Sequence, residues 1–162
     1  MNFATMRLYE CKIWEESTLV KHLIPCYRVS DSVIGLYDVL KNAFYYNSGT
    51  GNFTKGADNP QVTSINPMLP VLPDYSPLLP GTYRRLNYIE SGHNGATLAY
   101  LDTGLPVHMN WKYEIIIQQS TATTYRCWGA FNQQSYIGPN CSLTYISAGP
   151  TWALRWESTA SN

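Results

Sequence analysis

The sequence predicts an all-β protein of antiparallel strands, closed as a sandwich or a barrel. Three observations predict it. Thirteen Tyr and five Trp raise the aromatic share to 14%, whereas charged residues make up only 14% of the 162 positions. That mixture suits pleated surfaces and not a helical bundle, which needs many Glu, Lys, Ala and Leu. Short apolar runs recur between Gly, Pro, Asn and Asp clusters, the spacing of a sandwich or barrel. No stretch of eleven or more residues keeps a helical period.

The elements follow in order. Met6, Leu8, Tyr9, Cys11, Ile13 and Trp14 alternate roughly and predict a first strand. Glu15-Glu16-Ser17-Thr18 is polar and turn-like, and Leu19 to Arg28 predicts a second strand, so the pair reads as a hairpin. Ser30-Asp31-Ser32 is a further turn. Val33 to Asp38 and Ala43 to Tyr46 are short strands around Leu40-Lys41-Asn42. Asn47 to Asn52 is a Gly-rich turn that supplies positive φ, and Phe53-Thr54-Lys55 closes this segment.

Residues 58–80 hold six prolines, at positions 60, 67, 70, 73, 77 and 80. Each removes a backbone donor and biases its predecessor toward extended conformations. At about 3.1 Å per residue such a linker spans roughly 70 Å. Val62, Ile65, Met68, Leu69, Val71, Leu72, Leu78 and Leu79 are interleaved with the prolines, so the segment is expected to lie along a protein surface and bury part of itself there. Strand signals resume at Tyr83 to Glu90, Leu98 to Thr103, Lys112 to Gln119, Thr124 to Phe131, Cys141 to Ser147 and Trp152 to Trp156.

Charge and hydropathy exclude several classes. Net charge is zero, and Lys and Arg are scattered rather than gathered on a basic face, so no nucleic-acid partner is expected. Arg84-Arg85 reads as a solvated strand edge. No run of about 18 apolar residues is present, so no membrane-spanning helix is expected. Met1 to Met6 lacks the basic start and long apolar stretch of a signal peptide, so an exposed location implies another route, such as release inside an assembled particle. Cys11, Cys26, Cys127 and Cys141 form no CxxC and stand at no metal-ligand spacing, which reads as buried small apolar residues. A Cys127–Cys141 bridge stays open if their strands are neighbours.

Two sets of motifs resemble one family. The first runs through Met6-Arg7-Leu8-Tyr9-Glu10-Cys11-Lys12-Ile13, Ile24-Pro25-Cys26-Tyr27-Arg28, Val33-Ile34-Gly35-Leu36-Tyr37-Asp38, Phe44-Tyr45 and Gly49 to Gly56. It resembles the end of concanavalin-like (laminin-G-like) jelly-roll domains of phage, prophage and gut-bacterial surface proteins. The second, Leu79 to Ser91 followed by Tyr100-Leu101-Asp102-Thr103-Gly104, resembles the beginning of the same domains. The two segments cover about half the chain, and their order is reversed: the family's C-terminal half precedes its N-terminal half. The insertion around Gly92 to Ala99 is longer than the family's usual turn, and residues 105–162 match only in strand pattern.

The resemblance implies an antiparallel β-sandwich of jelly-roll type. Residues 1–57 form the family's C-terminal half, 58–80 the proline-rich linker and 81–162 the N-terminal half. Three arrangements stay open: one circularly permuted sandwich, two half-sandwiches completed between subunits, or a fragment of a tandem array. An unpaired half-sandwich exposes a core face and open strand edges, which favours the first two.

Candidate chemistry is sparse. His22, His93 and His108 share no motif and read as surface or rim residues. No Ser sits in a nucleophile elbow, and the Gly-rich turns lack a following helix for phosphate. The concanavalin-like architecture also hosts glucanases, which place two acids on one strand face. Glu15 and Glu16 are adjacent and would point to opposite faces, whereas Glu10, Glu90, Glu114 and Glu157 stand alone. Asp31, Asp38 and Asp102 are candidates for a calcium site, with turn capping the preferred account. Trp128 with Asn132, Gln134 and Tyr136 is the candidate glycan-binding set, since aromatic faces beside amides suit sugar rings. Core packing is the competing account for Trp128 and for the other strand aromatics, Trp111, Tyr113, Tyr125, Tyr145, Trp152 and Trp156.

The expected role is that of a non-enzymatic phage or prophage virion component, a fibre, spike or decoration protein, and the viral part rests on the resemblance. It implies a homo-oligomer, with a trimer favoured, in contact with other virion proteins. The alternative is a lectin-like module attaching to host or mucus glycans. No cofactor, metal, nucleic acid or membrane partner is expected, and the location is the virion or a cell surface.

Overall fold

A computed structural model of the chain describes residues 5–56, 73–94, 97–99, 101–104, 111–119, 125–130, 139–146 and 151–158. Those residues are mostly antiparallel β-sheet with almost no helix, consistent with an all-β sandwich. The strands are β1 (Thr5–Glu15), β2 (Thr18–Arg28), β3 (Ile34–Asp38), β4 (Ala43–Tyr46), β5 (Phe53–Lys55), β6 (Tyr83–Arg85), β7 (Ile89–Asn94), β8 (Thr97–Leu98), β9 (Trp111–Gln119), β10 (Tyr125–Ala130), β11 (Pro139–Ile146) and β12 (Thr151–Ser158). A single 3-10 turn, Ser76–Leu78, is the one helical element among the described residues. No described helix is long and apolar enough to cross a membrane.

β1 and β2 form the expected hairpin, from Glu15↔Thr18 to Cys11↔Leu23, with a bulge at Ile13/Trp14. The turn is two residues, Glu16 and Ser17, and Glu16 takes a φ of 53°. Beyond Cys11 the two strands part. Residues 5–8 of β1 pair with β7, from Thr5↔Gly92 to Leu8↔Ile89. Residues 26–28 of β2 pair with β6, from Cys26↔Arg85 to Arg28↔Tyr83. Leu86, Asn87 and Tyr88 join β6 to β7 and sit inside the fork. The Leu86 N–H donates to the Pro25 carbonyl at 2.9 Å.

That bond explains a proline in the middle of a strand. In an antiparallel strand the N–H and C=O of one residue point to the same neighbour. The Pro25 carbonyl points into the fork, so its missing donor faces the place that β1 has already left. Sequence reasoning runs one strand through Tyr83 to Glu90. The structure breaks it at Leu86–Tyr88, because the two halves serve different neighbours. Likewise Leu98 to Thr103 is not one strand: β8 ends at Leu98, and residues 101–104 carry no strand.

The rest of the sheet grows from this pair. β3 and β4 extend it beyond β2, β5 pairs with β7, and β9 runs along the other edge of β1 from Glu15↔Trp111 to Met6↔Gln119. β10, β11 and β12 form a separate three-stranded sheet. Its register sets Cys141 opposite Ala130, three positions from Cys127. At about 3.3 Å per residue the two Cα atoms stand roughly 10 Å apart, beyond a disulfide's span.

The core lies on one face of the hairpin. Cys11 and Ile13 of β1, Leu23 of β2, Leu36 of β3, Ile89 of β7 and the fork residue Leu86 are all buried, with Leu8, Val20, Tyr27, Phe53, Tyr113 and Ile115 packed against them. The opposite face of β2 is buried too, so Lys21 to Cys26 form an unbroken buried run. Chain leading into β6 covers it. The Tyr83 ring lies 4.8 Å from Tyr37 and 5.1 Å from Phe44. Cys11 and Cys26 are free, buried thiols on these two faces, and burial pushes each up to about 12.

Gly56 ties β5 to the fork. Its N–H donates to the Tyr88 carbonyl at 3.1 Å, and a Cβ there would meet that oxygen at 2.4 Å. Gly56→Ala is therefore expected to destabilise the protein by about 1–3 kcal/mol. Leu86→Ala removes the side chain that fills the fork and is expected to cost about 2–4 kcal/mol, lowering the melting midpoint by roughly 10 °C. Leu78→Ala, at an exposed position, serves as the control. Calorimetry checks all three, and equal midpoints for Leu86→Ala and Leu78→Ala would refute the fork as a packing centre.

Candidate functional site

Where β1 and β2 part, on the face away from the core, five polar side chains meet. Alternation sends Glu10 and Lys12 of β1 to this face while Cys11 and Ile13 enter the core. The pairing Lys12↔His22 brings His22 of β2 to the same face. Arg85 arrives opposite Cys26. Tyr75 comes from the end of the proline-rich segment, just before the 3-10 turn.

Glu10 is the hub. It is 2% exposed, and His22 beside it is 8% exposed. Oε1 of Glu10 lies 2.7 Å from His22 Nε2 and 2.9 Å from Lys12 Nζ. The His22 ring meets Tyr75 edge-on at 5.0 Å. The Arg85 guanidinium lies 5.1 Å from the same tyrosine ring and donates to the Pro73 carbonyl at 2.8 Å and to Asp74 Oδ1 at 3.2 Å. Burial alone would push the Glu10 carboxyl up, but bonds from His22, Tyr75 and Lys12 outweigh it and hold the group at about 2. Glu10 is therefore ionised at neutral pH, and the hydrogen between it and His22 belongs to Nε2.

A second buried pair lies on the core side. Lys21 Nζ stands 3.7 Å from Asp38 Oδ2 and donates to the Tyr45 hydroxyl. Asp38 is fully buried; its Oδ1 accepts from the backbone of His22 at 3.4 Å and of Leu40 at 3.1 Å. Oδ2 has no hydrogen-bond partner among the described residues.

These clusters correct several expectations. His22 is not a rim residue, because the hairpin register sets it against Glu10. Glu10 has no second carboxylate among its bonded partners, which are His22, Tyr75 and Lys12. Arg84 is exposed as a strand edge should be, but Arg85 is buried. Capping does account for Asp31, which accepts from the Val33 backbone at 3.2 Å, and for Asp102, which accepts from Gly104 at 2.8 Å. Asp38 caps Leu40 and also neutralises a buried lysine. No group of three potential metal ligands occurs among the described residues.

Trp128 lies on β10 opposite Leu143, and only its backbone is described. Asn132, Gln134 and Tyr136 fall outside the described residues, as does His108. One signal for the missed cluster was present in the sequence. Glu10, Lys12 and His22 interrupt otherwise apolar strands, and a polar residue inside a strand needs a partner when both faces are covered.

Chemically the Glu10 cluster is a clamp. The ionised carboxylate accepts from three donors, and those hydrogen bonds tie β1, β2 and Tyr75 together. Comparison of the chain with protein-family models, with curated proteins and with solved structures finds no match.

The clamp makes stability depend on acid. The folded value of Glu10, about 2, lies below its ordinary 4.5. Its stabilisation is therefore complete above pH 4.5 and is lost as the pH falls through about 2. The loss amounts to about 3 kcal/mol. Glu10→Gln is expected to lower stability by a similar amount at pH 7 and to flatten the acid limb. Denaturant titrations from pH 7 to pH 2 check this; parallel curves for the two proteins would refute it.

Proposed function

We propose that the chain is a non-enzymatic phage or prophage virion component, a fibre, spike or decoration protein, built on a permuted jelly-roll sandwich and assembled as a homo-oligomer. One observation carries the reading. Residues 83–85 and 89–91, from the segment that resembles the beginning of the concanavalin-like domain, pair with β2 and β1, from the segment that resembles its end. Strands written in reversed order thus complete one another within a single chain, as a permuted sandwich requires.

Two features support a structural role. Glu10 and Arg85, both buried, bond to Tyr75, Pro73 and Asp74 and so clamp the linker's end to the sheet, which suits a structural part. The three-stranded sheet has β10 and β12 at its outer positions, and among the described residues neither has a second neighbour. Open edges of this kind are the usual sites of strand pairing between copies.

Sedimentation analysis of the full chain tests the assembly. A trimeric mass, independent of salt, is the expected outcome, and a compact monomer at micromolar concentration overturns it. Mass spectrometry of particles purified from the source culture tests the location. The chain should be found in the particle fraction, and its absence there overturns the virion reading.

A further inference from the structure

Beside β6 the chain leaves a cleft of about 220 Å³ lined by Tyr27, Ser76, Leu79, Pro80, Gly81, Tyr83, Arg84 and Arg85. Two adjacent arginines serve it differently. Arg84 is exposed, and one of its terminal nitrogens donates to the carbonyls of Gly81 at 2.9 Å and Tyr83 at 3.1 Å. Those bonds hold the guanidinium at the rim and leave its other N–H groups for a ligand. No carboxylate pairs with Arg84 among the described residues.

Arg85 stands behind the wall. Its side chain is 2% exposed, and its Nε is buried with no hydrogen-bond partner among the described residues. Asp74 and the Pro73 carbonyl answer one terminal nitrogen only. Covered and already paired with Asp74 at 3.2 Å, this guanidinium lines the cleft with its charge answered, so Arg84 carries the attraction for an anion.

We propose that this cleft binds one hexuronic acid unit of a polysaccharide. The charge asks for an anion, and Arg84 offers the fork that matches a carboxylate. The walls ask for more than an anion. Leu79 and Pro80, with parts of Tyr27 and Tyr83, supply apolar surface that a bare phosphate leaves uncovered. A pyranose ring presents C–H faces to such walls and carries its carboxylate at one end. The volume falls below the roughly 300 Å³ at which drug-sized pockets begin, so one sugar unit is the fitting size.

The proposal does not rest on the virion reading, because a sedimentation result neither requires nor forbids a sugar site. Titration of the full chain with methyl β-glucuronide, followed by NMR or calorimetry, tests it. Saturable binding is expected, at least about tenfold tighter than methyl β-glucoside, which carries a hydroxymethyl group in place of the carboxylate, and than inorganic phosphate. Arg84→Gln is expected to weaken glucuronide binding about tenfold while leaving the melting midpoint within about 2 °C. Equal affinity for the glucoside overturns the charge argument, and equal affinity for phosphate overturns the sugar argument. Absence of saturable binding, or an unchanged affinity in Arg84→Gln, overturns the site. The glucuronide–glucoside comparison is made on the native chain and so remains decisive even if the variant folds poorly.

Discussion

Everything in the described sheet depends on how the backbone is satisfied where β1 and β2 separate. A hairpin that opens leaves two rows of donors and acceptors without partners, and buried backbone groups cannot be left so. Residues 83–92 solve this from far along the chain. β6 takes the freed part of β2, β7 takes the freed part of β1, and Leu86 bonds across the gap to Pro25. The proline itself fits because its strand has no donor to lose at that point.

The fork also dictates where charge is buried. Diverging strands leave space on the outer face, and Glu10, His22, Lys12 and Tyr75 fill it. Removing charges from water is costly unless each finds partners in good geometry. Here one carboxylate oxygen meets a histidine nitrogen and a lysine within 2.9 Å, and the tyrosine adds a third bond. The reward is specificity of attachment: an apolar Tyr75 substitute would slide on the sheet, whereas a hydroxyl aimed at Glu10 has one seat. The end of the proline-rich segment is thereby set, and with it the entry angle of β6 and the shape of the cleft beside it.

Much of the fold was legible because strands announce themselves locally. The alternation of Met6 to Trp14, the polar turn Glu15 to Thr18, and the apolar run Ile115-Ile116-Ile117 each depend on near neighbours alone; β1, β2 and β9 follow them closely, with the turn narrowed to Glu16 and Ser17. The clamp was less legible. Glu10 and His22 stand twelve positions apart, and only a register that absorbs a bulge at Trp14 brings them to one face. The break at Leu86–Tyr88 was hidden for a similar reason: nothing in Tyr83 to Glu90 reveals that its two ends face different strands. Trp128 was chosen for its ring and for the amides after it, and those amides lie outside the described residues.

By itself, then, the sequence determined the all-β class and the first hairpin, because alternation and turn chemistry act over a few residues. It also set the absence of a helical core, through composition. Tertiary structure alone decided which strands part, which segment enters between them, and which charges are buried together. Those choices require contacts over more than eighty positions, as between Arg7 and Glu90, and they are settled by the closing of the whole sheet and not by any residue's own preference.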